Sequence, residues 1–480
     1  MRSRAGLYCA IIAALGLCSA GVGAGVYSGG AGTPEVPYRV GKPGDLIELG
    51  NTLKDHASHF VLTKDIDLAG RGNSDDGSYF VGTFIARDTG YLSPTTFEGT
   101  EFTGRFQGNG FTIRNLAIDT HGENHSYLGL FGSVGAGGVV ENLRLENVRI
   151  VGGTDCRYVG GLCGRSDGLI RNSSVRGAAV QGGYFVGGLC GKNRSGTITG
   201  SFSDGFAAGQ FCIGGLCGGN SEYANWAGVI ELCSSGCEVM AVGDKASYKF
   251  GGLCGENWAT IRQSNAWGLV RGENWFGGLC GGNYGTIFDC YAGGDVRGAA
   301  DIYSSGAGGL CGRNDRGKII RCYSSGYVSA SEAAGGLCGI AITDGTYAGH
   351  GVTYEDTANF WDVDRSGLEE SAMGTGLSRG EMQNRLIFAG AGWDFGGEAA
   401  DWRIRDGEDY PRLAWEAILP GDMAGSPGVD LADLMVVADH WMQSCSGCPA
   451  DVNGDGVVNM ADVGILGGYW MSGVWGIARN

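Results

Sequence analysis

VGGLCG at Val159–Gly164 returns as VGGLCG from Val186, IGGLCG from Ile213, FGGLCG from Phe250 and Phe276, and AGGLCG from Ala307 and Ala334. An entry copy, LGLFG, ends at Gly132. The motif cysteines are Cys163, Cys190, Cys217, Cys254, Cys280, Cys311 and Cys338. They recur with a period of about 27 residues, the signature of a stacked-repeat architecture. Polar insertions lengthen the steps after Cys217 and Cys280. Each unit carries a second piece, Gly-x-Ile-x-x-(Ser/Cys), as in GLIRNS, GTITGS, GVIELC, GTIFDC and GKIIRC, with ATIRQS as a variant. A third piece is shorter, as in GLVRG, GDVRG and GYVSA. Three short β-prone pieces divided by Gly or Asn turns describe one coil of a parallel β-solenoid. No Pro occurs between Pro94 and Pro411, as stacked strands require, since each needs its N–H for the ladder. Eight copies from Phe131 to Cys338 at ~4.8 Å per level predict a column roughly 34 Å long.

Composition agrees. The 480 residues include 94 Gly but only 8 Pro, and 43% are hydrophobic, which excludes collagen and disordered Gly-rich linkers. Against 34 Lys and Arg stand 51 Asp and Glu, a net charge of −17. That balance disfavours nucleic acid and anionic membranes as partners and suits solvated acidic surface or calcium sites. Positions 1–24, with Arg2 and Arg4 ahead of an apolar run from Leu7 to Leu17 and Val22 and Ala24 before the cut, read as a secretory signal peptide. No later segment is apolar for the ~18 residues a membrane span requires, so the expectation is a released, extracellular or cell-surface protein.

The repeated VGGLCG-x-N, followed by G-x-I-x-x-C and G-x-V, resembles the GLUG motif repeat of bacterial surface and secreted proteins, some of them peptidases or adhesins. The lead-in DLIELGNTLKDHASHFVLTKDIDLAG and FTGRFQGNGFTIRNLAI is similar to the usual start of such proteins. The resemblance covers about residues 35 to 415. It implies a β-helix and no catalytic residues.

The expected architecture is mainly β: a right-handed parallel β-solenoid with a small α-helical calcium-loop module. Residues 25–100 read as lead-in and cap, 101–340 as the repeat, 341–418 as the C-terminal cap, and 419–480 as the module. Fifteen cysteines follow the signal peptide. Phe131 stands in the motif-cysteine column, and the second piece reads Ser173, Ser201, Cys233, Ser264, Cys290, Cys322. Interchange with Ser and Phe points to packing, with a soft-metal or redox thiol ladder as the rival reading. Asn193, Asn220, Asn257, Asn283 and Asn314, each two residues after the motif's final Gly, are expected to bond one another from coil to coil.

No catalytic constellation is legible. Asp289 falls in register with Gln263 and Arg321, and Arg165, Lys192, Gly219, Glu256, Gly282 and Arg313 form a mixed column expected to be a solvated face. A carboxylate pair drawn from insertions, such as Glu222 with Asp244, reads first as surface. Trp226, Trp258, Trp267, Trp275 and Tyr284 lie within three consecutive units and are candidates for stacking on sugar rings, the rival being core cover. Binding or adhesion to extracellular polysaccharide is therefore the expected activity. A polysaccharide hydrolase or lyase and a purely structural surface or matrix protein are the alternatives.

The sharpest chemical motif is ADVNGDGVVNMAD at 450–462. It sets Asp451, Asn453, Asp455, the Val457 carbonyl, Asn459 and Asp462 at calcium-loop positions 1, 3, 5, 7, 9 and 12, with Gly456 at the turn. Asp at position 12 departs from the EF-hand and resembles the dockerin type I repeat, in which the loop and its helix are duplicated. The duplicate lies upstream as Asp422, Asp430 and Asp433, but Ala424, Ser426 and Pro427 stand where ligands and the turn Gly belong, so a weak second site is expected. The resemblance implies Ca2+ as cofactor and a cohesin-type protein as partner. Cys445 and Cys448, in CSGC between the copies, lack the second pair that a zinc site needs.

Overall fold

The computed structural model describes residues 25–90, 95–222, 227–242, 247–298, 304–344, 354–396, 400–416, 431–442, 450 and 457–469. The signal peptide, Cys445 and Cys448 lie outside them.

The chain winds into a parallel β-solenoid whose levels stack in strict register. Each motif cysteine pairs with the next, from Phe131 opposite Cys163 to Cys311 opposite Cys338. The eight strands between Phe131–Val134 and Cys338–Ile342 form one sheet, the Cys face, which bears out the eight-level column. The second piece stacks as an Ile face, with Ile170, Ile198, Ile230, Ile261, Ile287 and Ile319 aligned and fully buried. The third piece belongs to a wide face, a 16-stranded sheet.

A coil has four faces rather than three. The residues Gly161 and Leu162 bend inside the motif, so Arg157–Gly160 ends one strand and Cys163–Ser166 begins another. The seven strands typified by Arg157–Gly160 make a Val face of their own. Glycine is mandatory here because the Val strand of one coil lies directly on the Cys strand of the next. A Cβ on Gly191 would sit 2.4 Å from the Val159 nitrogen, and one on Gly160 2.6 Å from the Gly191 nitrogen. Both contacts are with backbone, which cannot yield.

The stack is longer than the repeat. At its start, Tyr38–Val40 and His59–Leu62 already join the Ile face, and the helix Pro43–Asn51 buries Leu46 and Leu49 over the opening coil. Asp45 anchors that helix by accepting from the Gly41 and Lys42 nitrogens at 2.8 and 3.2 Å. At the far end Glu355–Thr357 and Phe360–Asp362 add further strands to the Ile and wide faces. Only part of the segment expected to be a terminal cap covers an edge; the rest returns along the outside of the column. There, Tyr323 and Phe360 on the wide face pack with Met382, Phe388, Trp393 and Trp402 in a second, smaller core.

Candidate functional site

Within the Val strands and just ahead of the entry copy, the residue before each motif's first apolar position turns left-handed. Tyr127, Tyr158, Phe185, Cys212, Lys249, Trp275 and Ala333 all have φ between 47° and 71°. This conformation costs a bulky L-residue of order 1 kcal/mol. It swings the side chain onto the neighbouring column. Lys192 lies 4.3 Å from the Phe185 ring centroid, Arg313 lies 4.3 Å from that of Trp275, and Lys249 pairs with Glu256. Most of the column expected to be solvated is thereby buried, with Arg165 8%, Lys192 6% and Glu256 7% exposed, while Arg313 stays partly exposed.

The candidate aromatics fall into two groups, apart from Trp226, which is outside the described residues. Trp258 stacks flat on Tyr284 at 4.0 Å and 5°. Lys249 Nζ reaches both Tyr284 (5.1 Å) and Trp275 (5.8 Å), so Trp258, Tyr284, Trp275 and Lys249 form one cluster. Tyr284 is covered within it and burial pushes its phenol pKa up, whereas Trp258 and Trp275 are half-buried. Burial lowers the Lys249 pKa, but the neighbouring Cys212 and Glu256 outweigh it and hold the ammonium charged well above the ordinary lysine range. Trp267 stands elsewhere, its indole over Gly236 of the coil before.

A second aromatic row had no place among the sequence candidates. Tyr184, Phe211 and Tyr248 occupy one register position and stack at 4.9 Å (9°) and 6.0 Å (14°). Arg157 covers the lower end at 4.1 Å and Trp275 meets the upper end edge-on. The ring faces are spent on one another. The signal was present as an aromatic two residues before the apolar residue of GYFVGG, QFCIGG and SYKFGG.

Asp289 is held in a bidentate pair by Arg321 (2.7 and 2.6 Å) and receives the Trp402 indole N–H at 3.1 Å. Burial, and after it the Asp289 charge, raises the carboxyl pKa of the adjacent Asp401. Its occupied hydrogen-bonding positions make Asp289 an anchor rather than a free base. Glu222 lies 3.6 Å from Lys192 Nζ, and Asp244 falls outside the described residues.

The 13 described cysteines are free and buried. Cys163 and Cys190 touch at 3.5 Å between sulfurs, well beyond the ~2.05 Å of a disulfide. Burial drives the thiol pKa values of Cys190, Cys217 and Cys254 well up. Among the described residues no group of three or more His, Cys, Asp or Glu side chains could hold a metal ion.

Of the calcium-loop residues, Asp451, Asn453 and Asp455 lie outside the described residues, as do Asp422 and Asp430 and the side chain of Asp433. Val457, Asn459 and Asp462 lead into the helix Met460–Tyr469. Asn459 Oδ1 accepts from the Ala461 nitrogen at 2.8 Å, and the fully buried Asp462 accepts from the Asn459 nitrogen at 2.8 Å. A buried carboxylate oxygen such as that of Asp462 is the kind of donor a hard cation takes.

No family model matches the chain. Halomucin of Haloquadratum walsbyi is 36% identical over 157 residues, covering 32% of this chain and 2% of that protein. A "Putative Gly-rich membrane protein" of Evansella cellulosilytica is 30% identical over 88% of this chain and 50% of that protein. The chain thus spans half the length of one relative and a small fraction of the other. A crystal structure described as a "putative immunoglobulin A1 protease from Bacteroides ovatus" aligns over 82% of this chain and 96% of its own, with 19% identity and a TM-score of 0.41. No helix among the described residues is long and apolar enough to cross a membrane.

Proposed function

We propose that this chain is a GLUG-type, extracellular or cell-surface β-solenoid that binds or adheres to polysaccharide and carries a calcium-dependent, dockerin-like module for a cohesin-type partner. The observation behind the binding reading is the half-exposed rim where Trp258 and Trp275 stand around Lys249 with Arg313 alongside. Indole faces take the C–H side of sugar rings while cations donate to hydroxyls or carboxylates. The relatives' names, halomucin and a Gly-rich membrane protein, support placement at the cell surface. In the module, Asp451, Asn453, Asp455, the Val457 carbonyl, Asn459 and Asp462 would hold the ion and order the loop ahead of its helix.

The test is a glycan array probed with the secreted full chain, beside Trp258→Ala and Trp275→Ala. Retention on at least one plant or bacterial polysaccharide, weakened in both variants, supports the reading. Turnover of the glycan into reducing ends or unsaturated products would replace it with the hydrolase or lyase alternative. A silent array would favour a structural matrix protein, the reading supported by the sealed stack of Tyr184, Phe211 and Tyr248.

A further inference from the structure

Residues 400–416 do not cap the end of the column. They run back down its flank, and each step is bonded to a different level. Asn265, Tyr291, Tyr323 and Phe360 are successive positions of one wide-face column. The Tyr410 hydroxyl donates to Asp362, at the end of the strand that Phe360 begins, and the Tyr323 hydroxyl donates to the Pro411 carbonyl at 2.7 Å. Glu416 then accepts from the Tyr291 hydroxyl at 3.1 Å and from Asn265 Nδ2 at 3.0 Å. At the adjoining corner the Trp402 indole donates to Asp289, the Trp415 indole donates to the Gln263 carbonyl at 2.8 Å, and Gln263 donates to Asp401. The antiparallel pair of Trp402–Arg403 with Arg412–Leu413 stiffens the segment. Trp402, Tyr410 and Leu413 add apolar burial against Tyr291 and Tyr323.

An ordinary solenoid level touches only its neighbours, so its ends fray one level at a time. A segment fastened to four levels at once changes that. The level of Phe360–Asp362, on which Thr375–Leu377 still stacks, cannot leave without breaking bonds whose other anchors sit one, two and three levels below. We propose that residues 400–416 are a clasp that turns the four levels from Gln263 to Asp362 into a single cooperative unit. The clasp also fixes Glu416, the last described residue before the calcium-loop module, on the flank beside Asn265 instead of at the end of the column. The clasp acts on the fold's own cooperativity, with no glycan or cohesin involved.

Hydrogen exchange of the full chain, read by mass spectrometry, tests it. In the wild type the amides of Thr286–Phe288, Lys318–Ile320 and the Trp402–Leu413 pair should exchange with one common opening rate. In Trp402→Ala/Glu416→Ala the levels should open in graded order from Phe360 downward, about tenfold faster at Tyr323 to Phe360, with the levels of Cys163 to Cys217 unchanged. Tyr323→Phe keeps the ring and removes only the bond to Pro411, so it provides the same comparison if the double variant does not fold. It should shift the upper levels in the same direction by a smaller factor. Unchanged exchange between Tyr291 and Asp362 in both variants would overturn the clasp. So would a wild type in which 400–416 exchanges long before Thr286–Phe288.

Discussion

Asn257 occupies the middle of a chain of amides in which Asn193, Asn220, Asn257 and Asn283 each donate Nδ2 to Oδ1 of the next, ending on Asn314, at 2.8 to 2.9 Å. All five are fully buried, so an interruption at Asn257 removes two side-chain hydrogen bonds from groups that water cannot reach, leaving Asn220 Nδ2 and Asn283 Oδ1 only their backbone partners. Asn257→Leu is expected to lower the unfolding free energy by about 2 kcal/mol or more, as measured by denaturant titration. The ladder lacks its first step, because Ser166 pairs in register with Asn193 and Asn193 Oδ1 accepts no hydrogen bond. Ser166→Asn should therefore stabilise by about 1 kcal/mol. The motif thiols yield a pH dependence. Their folded-state pKa values lie above the unfolded ones, so their contribution is complete below the unfolded thiol value of about 8.5 and is lost as pH rises beyond it. Unfolding free energy measured against pH should fall steeply in that alkaline window. Cys217→Val and Cys254→Val should each flatten the slope. The amide ladder and the thiol column were legible in the chain because a repeat places the same residue at the same phase of every coil. The left-handed turn of Tyr158, Phe185 and Trp275 was not, since nothing in the local pattern replaces these bulky residues with Gly.

Each VGGLCG segment is two strands and a bend, and its glycines are set by the offset of one coil against the next. Gly191→Ala should prevent that coil from closing, because its Cβ would meet the Val159 nitrogen at 2.4 Å; loss of secreted, protease-resistant protein reads this out. Gly219→Ala is the milder comparison, since its Cβ would meet the Phe185 ring at 2.9 Å, a side chain that can shift. The helix Met460–Tyr469 begins after Asn459, which caps it and holds the ninth position of the proposed calcium loop. One strong calcium site is expected in a titration of the full chain, abolished by Asp451→Ala. Two equal sites would mean that the upstream loop of Asp422, Asp430 and Asp433 binds despite its missing ligands. A calcium-loop motif can be proposed from the chain alone because its candidate ligands are close in sequence. The division of GGLCG between two faces cannot, since Gly161 packs against Gly188 in the bend of the next coil and against Val175 on the wide face.

Across the molecule the column is tied off differently at its two ends, by the helix Pro43–Asn51 over the first coil and by the flank segment 400–416. Burial raises the pKa of Glu416, which is fully enclosed. Its protonated form is favoured in the closed state, so this contribution is present in acid and lost as pH rises through the raised value. Exchange of amides 400–416, corrected for the intrinsic pH effect, should slow on acidification from neutral pH, and Glu416→Gln should remove that dependence. The class of fold, the eight motif levels and the column partners within them were inherent in the chain's order, because a solenoid converts sequence period directly into spatial neighbours. What required the folded molecule is whatever joins residues with no periodic relation: Glu416 with Asn265, 151 positions apart, and Trp402 with Asp289, 113 apart. The burial of Tyr284 behind the half-exposed Trp258 and Trp275 likewise comes from lateral packing, with Lys249 and Glu256 paired beside it. Such contacts form where the winding column brings a flank within reach, and no local propensity encodes that distance.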